Sequence, residues 1–221
     1  MATGLLILAI NRGIKFSSLL LESHKTYAAE VTLGIKTDTD DAEGDHIHSR
    51  LITCNKEEAR QKLLSFLGSS MQQPPIYSAL KVQGKPMYKY AREGVKVEKA
   101  PRAIEIKTIE NISINLPKIS FEVSCSKGTY IRSIARDLGE LLDCGGHLSA
   151  LKRLTQQEFL IQDAKKIDEI TELDIIPLEK AFNHLGSVNL PEEKLKKFIN
   201  GSAIDLGLPE SGLLRAYNSV G

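Results

Sequence analysis

Cysteine is scarce in this sequence. Cys54, Cys125 and Cys144 are far apart and form no CxxC. An odd, scattered set of this kind makes neither a disulfide framework nor a zinc site, and it fits a reduced cytosolic chain. An excess of charge of either sign is also missing. A net charge of +1 and a pI near 7.7 exclude a bulk polycation, so any nucleic-acid surface has to be a local patch. No apolar run approaches the ~20 residues that a membrane helix needs. The apolar stretch from Gly4 to Ile10 has no basic region before it, which favours a buried strand over a signal peptide. No P-loop, GxSxG, HExxH or Rossmann fingerprint is present, which argues against the enzyme classes that carry them. Internal repeats and low-complexity tracts are lacking too. The 221 residues suffice for one large domain, or one plus a small appendage.

What the sequence does hold is organised around Ser126 to Arg132, which runs into the segment Ser133–Gly139. Before it, Ile119, Phe121, Val123 and Cys125 alternate with polar residues at the period of a half-buried strand. After it, Ile131, Ile134, Ala135, Leu138, Leu141 and Leu142 fall on one side of a 3.6-residue period, which predicts a helix. Gly128 stands at the junction, where a sharp strand-to-helix turn favours a residue without Cβ. Tyr130 and Arg132 then lie beside the free N–H groups of the first turn, a cationic lip suited to an anion. The alternative is that Arg132 and Arg136 form the solvated face of the helix.

Met1 to Ile10 reads as a buried strand, followed by a short helix with Phe16, Leu19, Leu20 and Leu21 inside. Lys25 opens a strand that puts Tyr27, Ala29, Val31 and Leu33 on one side. Tyr27 could be a core aromatic or a stacking surface. The acidic run Asp38 to Glu43 fails EF-hand spacing and reads as a solvated turn. Asn55 begins a helix with Ala59, Leu63, Phe66 and Leu67 as its apolar stripe and Gly68 as its stop. Pro86 and Gly94 bracket another short helix. Between Lys81 and Arg102 lie seven basic and two acidic residues, a local excess of five positive charges, with Tyr77, Tyr88 and Tyr90 nearby. Such a mixture can neutralise phosphates and stack on unpaired bases, or it can be a solvated helix face. Arg102–Thr108 and Asn111–Asn115 read as two strands. Asp168–Leu173, Pro177–Leu185 and Pro191–Asn200 read as helices, and Leu206–Tyr217 as the first strands of a small β-rich appendage. His147, in a glycine turn, takes no acid–base role.

The segment Ser126–Gly139 resembles the KGTYIR-x-L-x-x-D-L-G signature of the bacterial tRNA pseudouridine-55 synthases, the TruB family, whose relatives include the dyskerin-type enzymes. Other blocks resemble the same family in the same order: Leu33–Gly44 (LGxxTxTxDxxG), Pro75–Gly94 (P-x-Y-S-A-x-K-x-x-G-x-x-x-Y-x-x-A-R-x-G) and Cys144–Arg153 (CGAHxxxLRR). Ala2-Thr3-Gly4-Leu5-Leu6 resembles the segment directly after the family's loop GHxGxLDPx, whose aspartate is the nucleophile. That aspartate would stand two positions before Met1 and is not among these residues. The family's usual glycine after LRRT is replaced by Gln156-Gln157-Glu158, which puts the geometry of that strand pair in question.

The resemblance implies an α/β (α+β) fold: a mixed, largely antiparallel sheet flanked by helices, with an incomplete PUA-like β appendage. It implies a catalytic domain over 1–180 with an RNA-clamping insertion at about 56–100, and a partial RNA-binding domain over 181–221. The implied reaction converts uridine-55 of the tRNA T-loop to pseudouridine. The N1–C1′ bond is cleaved, the base rotates, and C5 is joined to C1′, with no cofactor and no metal. Arg132 would hold the nucleophilic carboxylate, Tyr27 would stack on the everted base, and Tyr130 and Leu151 would line its pocket. Lys81, Lys85, Tyr88, Lys89, Arg92, Lys127 and Arg153 would contact RNA. The expected partner is the tRNA T-arm, bound by a cytoplasmic monomer with no obligate protein partner and no membrane. Without the aspartate the chain as written is expected to be inactive. The alternatives are a tRNA-binding or tRNA-folding protein without catalysis, or a truncated remnant.

Overall fold

A computed structural model describes residues 2–95, 97, 99–207 and 212–218. Lys96 and Glu98 of the basic stretch, Met1 of the first expected strand and positions 208–211 of the expected appendage lie outside the described residues. The chain forms two compact units, Met1–Ala164 and Lys165–Gly221, so the division falls ahead of the boundary expected at 181.

In the first unit the elements are β1 (Ala2–Gly4), α1 (Ser17–Leu21), β2 (Lys25–Leu33), β3 (Ile35–Thr37), β4 (His46–Ser49), α2 (Lys56–Leu64), β5 (Gly68–Gln72), β6 (Lys81–Val82), β7 (Lys85–Pro86), α3 (Met87–Arg92), β8 (Arg102–Asn115), β9 (Lys118–Cys125), α4 (Ile131–Leu141), β10 (Gly146–Gln156) and β11 (Phe159–Leu160). A seven-stranded sheet runs β1-β10-β2-β9-β8-β5, with β11 also on β10. The β1–β10 pair is parallel and every other pair in this sheet is antiparallel. The second unit holds α5 (Leu178–Ala181), β12 (Ser187–Asn189), α6 (Glu192–Ile199) and β13 (Arg215–Tyr217), with β12 and β13 paired in parallel. No helix among the described residues is long and apolar enough to cross a membrane.

The alternation in β9 buries Ile119, Phe121, Val123 and Cys125, and that in β2 buries Ala29, Val31 and Leu33. These side chains share the sheet face on which α4 lays Ile131, Ile134, Ala135, Leu138 and Leu142. Fully burying side chains of this size contributes roughly 1.5–3 kcal/mol each. Ala59 and Leu63 of α2 join the same core, and Asn55 caps that helix by accepting the Glu58 N–H at 2.9 Å. Of the expected insertion over 56–100, α2 and β5 therefore belong to the main core and sheet. The β6–β7 hairpin and α3 lie outside that sheet.

Several local expectations are corrected. Only Ala2–Gly4 is strand near the start, and Leu6, Leu8 and Ile10 are exposed, because one parallel edge pairing covers so short a segment on one side only. Phe16 and Leu21 are exposed rather than inside, and so are Leu67 and Leu141, which sit at the margins of their apolar stripes. Residues 102–115 form one strand, not two, with bulges at Ile106/Thr108 and Glu110/Ser113 absorbing the breaks in alternation. Asp168–Leu173 gives only fragments of 3-10 turn, and α5 is a single turn that ends well before Leu185.

The strand pair placed in question by Gln156-Gln157-Glu158 does form, with Gln156 opposite Phe159 and Thr155 opposite Leu160. Gln157 carries φ 56 in this two-residue loop, while Glu158 is not left-handed. A positive φ of this kind favours glycine at that position. Gln157→Gly is expected to stabilise the first unit by about 0.5–1 kcal/mol, read as a higher urea midpoint with an unchanged m-value.

Candidate active site

The strand β9 ends at Cys125, and Ser126–Tyr130 turns into α4. Gly128 has φ +79, and a Cβ there would press on the Arg102 guanidinium. The turn thus needs glycine for two reasons: its left-handed backbone and the cation packed against it. Arg102, on β8, donates to the Gly128 carbonyl and lies over the Tyr130 ring, 4.7 Å from its centroid. Tyr130 therefore enters α4 with its ring covered by a cation.

Arg132 stands one residue into α4 and is fixed by three acceptors. Nη1 donates to the Asp41 carboxylate at 3.0 Å and to the Thr39 carbonyl at 3.1 Å, and Nη2 donates to the Tyr77 carbonyl at 2.8 Å. Arg136, one turn on, meets Asp40 at 3.2 Å, Asp137 at 2.8 Å and the Gln73 carbonyl at 3.0 Å. The idea that these two arginines form a solvated face is overturned, since both are largely buried in ion pairs. The acidic run is likewise no solvated turn, because two of its carboxylates serve these guanidiniums. Burial holds the Asp40 carboxyl above the usual carboxylate range despite Arg136 and Arg132 beside it. Arg136 is pulled down by burial, but Asp137 and Asp40 together push it above its ordinary value.

A guanidinium has five N–H donors. Three of those on Arg132 are taken by described partners, so Nε–H and one Nη2–H have no acceptor among the described residues. Charge-assisted donors of this kind suit a carboxylate.

The other expected pocket residues come from the sheet. Tyr27 is opposite Arg153, and Ala29 opposite Leu151, across the β2–β10 pairing. Directly opposed residues in an antiparallel pair share a face, so Tyr27, Leu151 and Arg153 project on the side that carries α4. The acidic loop crosses β10 at Leu148, where Asp41 makes a parallel bridge, so Arg132 is anchored to the same strand that presents Leu151. Tyr27 and Leu151 are half-buried against the core rather than within it. Burial raises the Tyr27 phenol above its ordinary pKa, with Cys125 adding to this and Arg153 opposing it. Arg153 Nε donates to the Leu5 carbonyl at 2.6 Å.

Most of the expected RNA contacts form a second group. Met87 and Tyr88 of α3 donate backbone N–H groups to Leu80 and Ser78, so α3 is hooked to the segment whose Tyr77 carbonyl holds Arg132. Lys85 lies 4.5 Å from the Tyr90 ring centroid and pairs with Glu93, while Arg92 lies 5.5 Å from that of Tyr88. Lys81 and Lys89 are exposed on the same hairpin and helix. Lys127 stands apart from them beside α4, paired with the exposed Glu22.

Two functional candidates are not apparent from the sequence. Asp41 reads there as part of a solvated acidic turn and as the aspartate of the resembled LGxxTxTxDxxG block, with no role attached. The signal for its role is a pair of arginines four apart near the start of an amphipathic helix, of which only Arg136 has an acidic neighbour, Asp137, on the helix itself. Gln72 carries no motif at all. It is a buried amide at the end of a strand, and such a group has to be bonded to something.

Comparison with known proteins places this geometry in context. A family profile described as TruB family pseudouridylate synthase (N terminal domain) matches residues 1–131. A tRNA pseudouridine synthase B of Clostridium kluyveri is 41% identical over 208 residues, covering 92% of this chain and 72% of that protein. One from Burkholderia mallei is 38% identical over 233 residues, covering 99% of this chain and 77% of its own. Among solved structures, a chain from a Cbf5-Nop10-Gar1 complex superposes with a TM-score of 0.69 at 23% identity. This chain is covered to 99% there and spans 63% of that one, a likeness of fold.

Proposed function

The chain belongs to the TruB family of pseudouridylate synthases, and on that premise we propose that it grips the T-arm of tRNA and everts uridine-55 for conversion to pseudouridine. The observation that carries this reading is Arg132. It is clamped by Asp41, Thr39 and Tyr77 in one orientation, with Nε–H and one Nη2–H given no acceptor among the described residues. Those donors would orient and keep ionised the nucleophilic aspartate of the family's LDP loop, a residue that the 221 residues do not themselves contain. Tyr27 would stack on the everted uracil, and Tyr130 and Leu151 would close the slot around it. Lys81, Lys85, Lys89 and Arg92, with Tyr88, would hold phosphates and bases of the stem-loop, with Lys127 and Arg153 contributing beside the slot. The part beyond about residue 181 would add contacts as a PUA-like module. The reading is of a cytoplasmic monomer that uses no cofactor.

For the polypeptide of these 221 residues the expected behaviour is binding without conversion, which coincides with the alternative reading of a tRNA-binding or tRNA-folding protein. Fluorescence anisotropy with a T-arm stem-loop should show specific binding. Raising monovalent salt from 50 to 200 mM should weaken it roughly 50-fold, as for about four neutralised phosphates. Pseudouridine measured after prolonged incubation should stay at background. Affinity no better than for an unrelated hairpin of equal length would refute the T-arm assignment. Accumulating pseudouridine would show that the nucleophile lies within these residues.

A further inference from the structure

Tyr130 is the one expected pocket residue that stands outside regular structure, at the N-cap of α4 with an extended backbone, φ −101 and ψ 115. No side chain of its own segment caps the helix. Tyr130 is held instead from the far edge of the sheet. Gln72, the last residue of β5, accepts the Tyr130 N–H on Oε1 at 2.8 Å and donates from Nε2 to the Tyr130 carbonyl at 3.1 Å. This one amide thus satisfies both backbone groups of Tyr130, and its side chain is sealed from solvent.

The next residue continues the clamp. The Gln73 carbonyl accepts the Ser133 hydroxyl at 2.9 Å and Arg136 Nη2 at 3.0 Å, so the end of β5 is stapled to the first turn and a half of α4. Directly opposite Gln72 across the β5–β8 pair is Arg102, the cation stacked on the Tyr130 ring. Two cross-strand neighbours therefore converge on one tyrosine, one on its backbone and the other on its ring.

We propose that Gln72 and Arg102 are a positioning pair that fixes Tyr130 as a rigid wall of the base slot. Neither needs to touch the nucleic acid for this. Arg102, which the sequence places among the phosphate-binding cations, spends its charge on Tyr130 and Gly128 instead. Substitution at Gln72 should leave the clamp on the stem intact, because the hairpin and α3 are hooked to Ser78 and Leu80 and not to Gln72. What should change is whether the everted base is held. The inference rests on the base-gripping function proposed above and assigns a mechanism to one wall of that site.

The test uses the full chain and a T-arm stem-loop carrying 5-fluorouridine at the target position, observed by fluorine NMR, with affinity measured in parallel. Wild type should show a displaced resonance for the base held against the aromatic wall. Gln72→Met, of similar length but unable to make either bond, should reduce that population about tenfold while affinity changes less than about threefold. Gln72→Glu keeps an acceptor for the Tyr130 N–H and should fall between the two. Arg102→Met provides a second arm that does not open the buried end of β5, and it should shift the resonance toward that of free RNA at nearly unchanged affinity.

Unaltered displaced resonances in both Gln72→Met and Arg102→Met would overturn the positioning role. So would affinity and displaced population falling together in proportion, since that describes general loss of structure. If wild type binds but displaces nothing, the base-gripping function fails and takes this proposal with it, an outcome distinct from an unchanged variant.

Discussion

Gly139→Ala is expected to destabilise the first unit by about 4 kcal/mol or more, a large share of the roughly 5–15 kcal/mol that holds a typical domain folded. The sign is the informative part. In an ordinary helix interior the same change stabilises by nearly 1 kcal/mol, because alanine loses less conformational freedom on folding. Gly139 is in the third turn of α4, but its missing side chain faces backbone. A Cβ there would lie closer to the Gly145 carbonyl carbon and the Gly146 nitrogen than real Cβ atoms approach any heavy atom. Those atoms cannot withdraw easily. The Gly139 carbonyl accepts the N–H groups of both Cys144 and Gly145, at 3.1 and 2.9 Å, which ties the turn to the helix at this point. Gly146 begins β10 and is registered against Leu33 at the end of β2. Relief would require moving either α4 off the core or the start of β10 out of the sheet. Urea denaturation followed by circular dichroism gives the comparison, with Leu141→Ala as the neighbouring control. Leu141 is exposed, and its truncation should change stability by less than about 0.5 kcal/mol. Equal stability of Gly139→Ala and wild type would mean that helix and turn do not meet at their backbones.

That contact shows what the sequence could and could not announce. The alternation in β2 and β9 and the apolar period in α4 were legible, because each records burial against a single continuous face. Which face met which was not, since pairing between β2 and β10 joins residues more than a hundred positions apart. The start of the chain misled for a related reason: Leu6, Leu8 and Ile10 look like strand, yet apolar residues mark burial only when something covers them. At the site, Tyr27, Arg132 and Leu151 came from resemblance. Composition and spacing alone left Arg132 balanced between an anion site and a solvated face. The acidic loop was the part least readable locally. A run of aspartates looks the same whether it faces water or two guanidiniums, and only the fold brings residues 38–41 to the N-terminal turns of a helix some ninety positions later.

Asp41→Asn is expected to cost roughly 1.5–3 kcal/mol, although the replacement has the same shape. Asp41 uses both oxygens. Oδ2 receives Arg132 Nη1 at 3.0 Å, while Oδ1 receives the Thr39 hydroxyl at 2.7 Å and the Glu43 N–H at 3.1 Å. An asparagine must turn its amide nitrogen toward one of these sets. Facing Arg132, it opposes a donor to a donor beside a cation with 22% of its side chain exposed. Facing the loop, it opposes the Glu43 N–H and loosens the turn that carries Thr39, whose carbonyl also holds Arg132. The residual exposure of Arg132 keeps the expected cost below the 3–5 kcal/mol typical of a fully buried broken pair. A double-mutant cycle with Arg132→Met isolates the interaction, and a coupling of about 1–2 kcal/mol is expected from denaturation free energies. The same variant should hold T-arm RNA with nearly unchanged affinity but lose the ordered fork, because the hairpin cations are untouched while the guanidinium is released from one of its three acceptors. Stability within about 0.5 kcal/mol of wild type would mean that Asp41 is a bystander and that the Thr39 and Tyr77 carbonyls alone set Arg132.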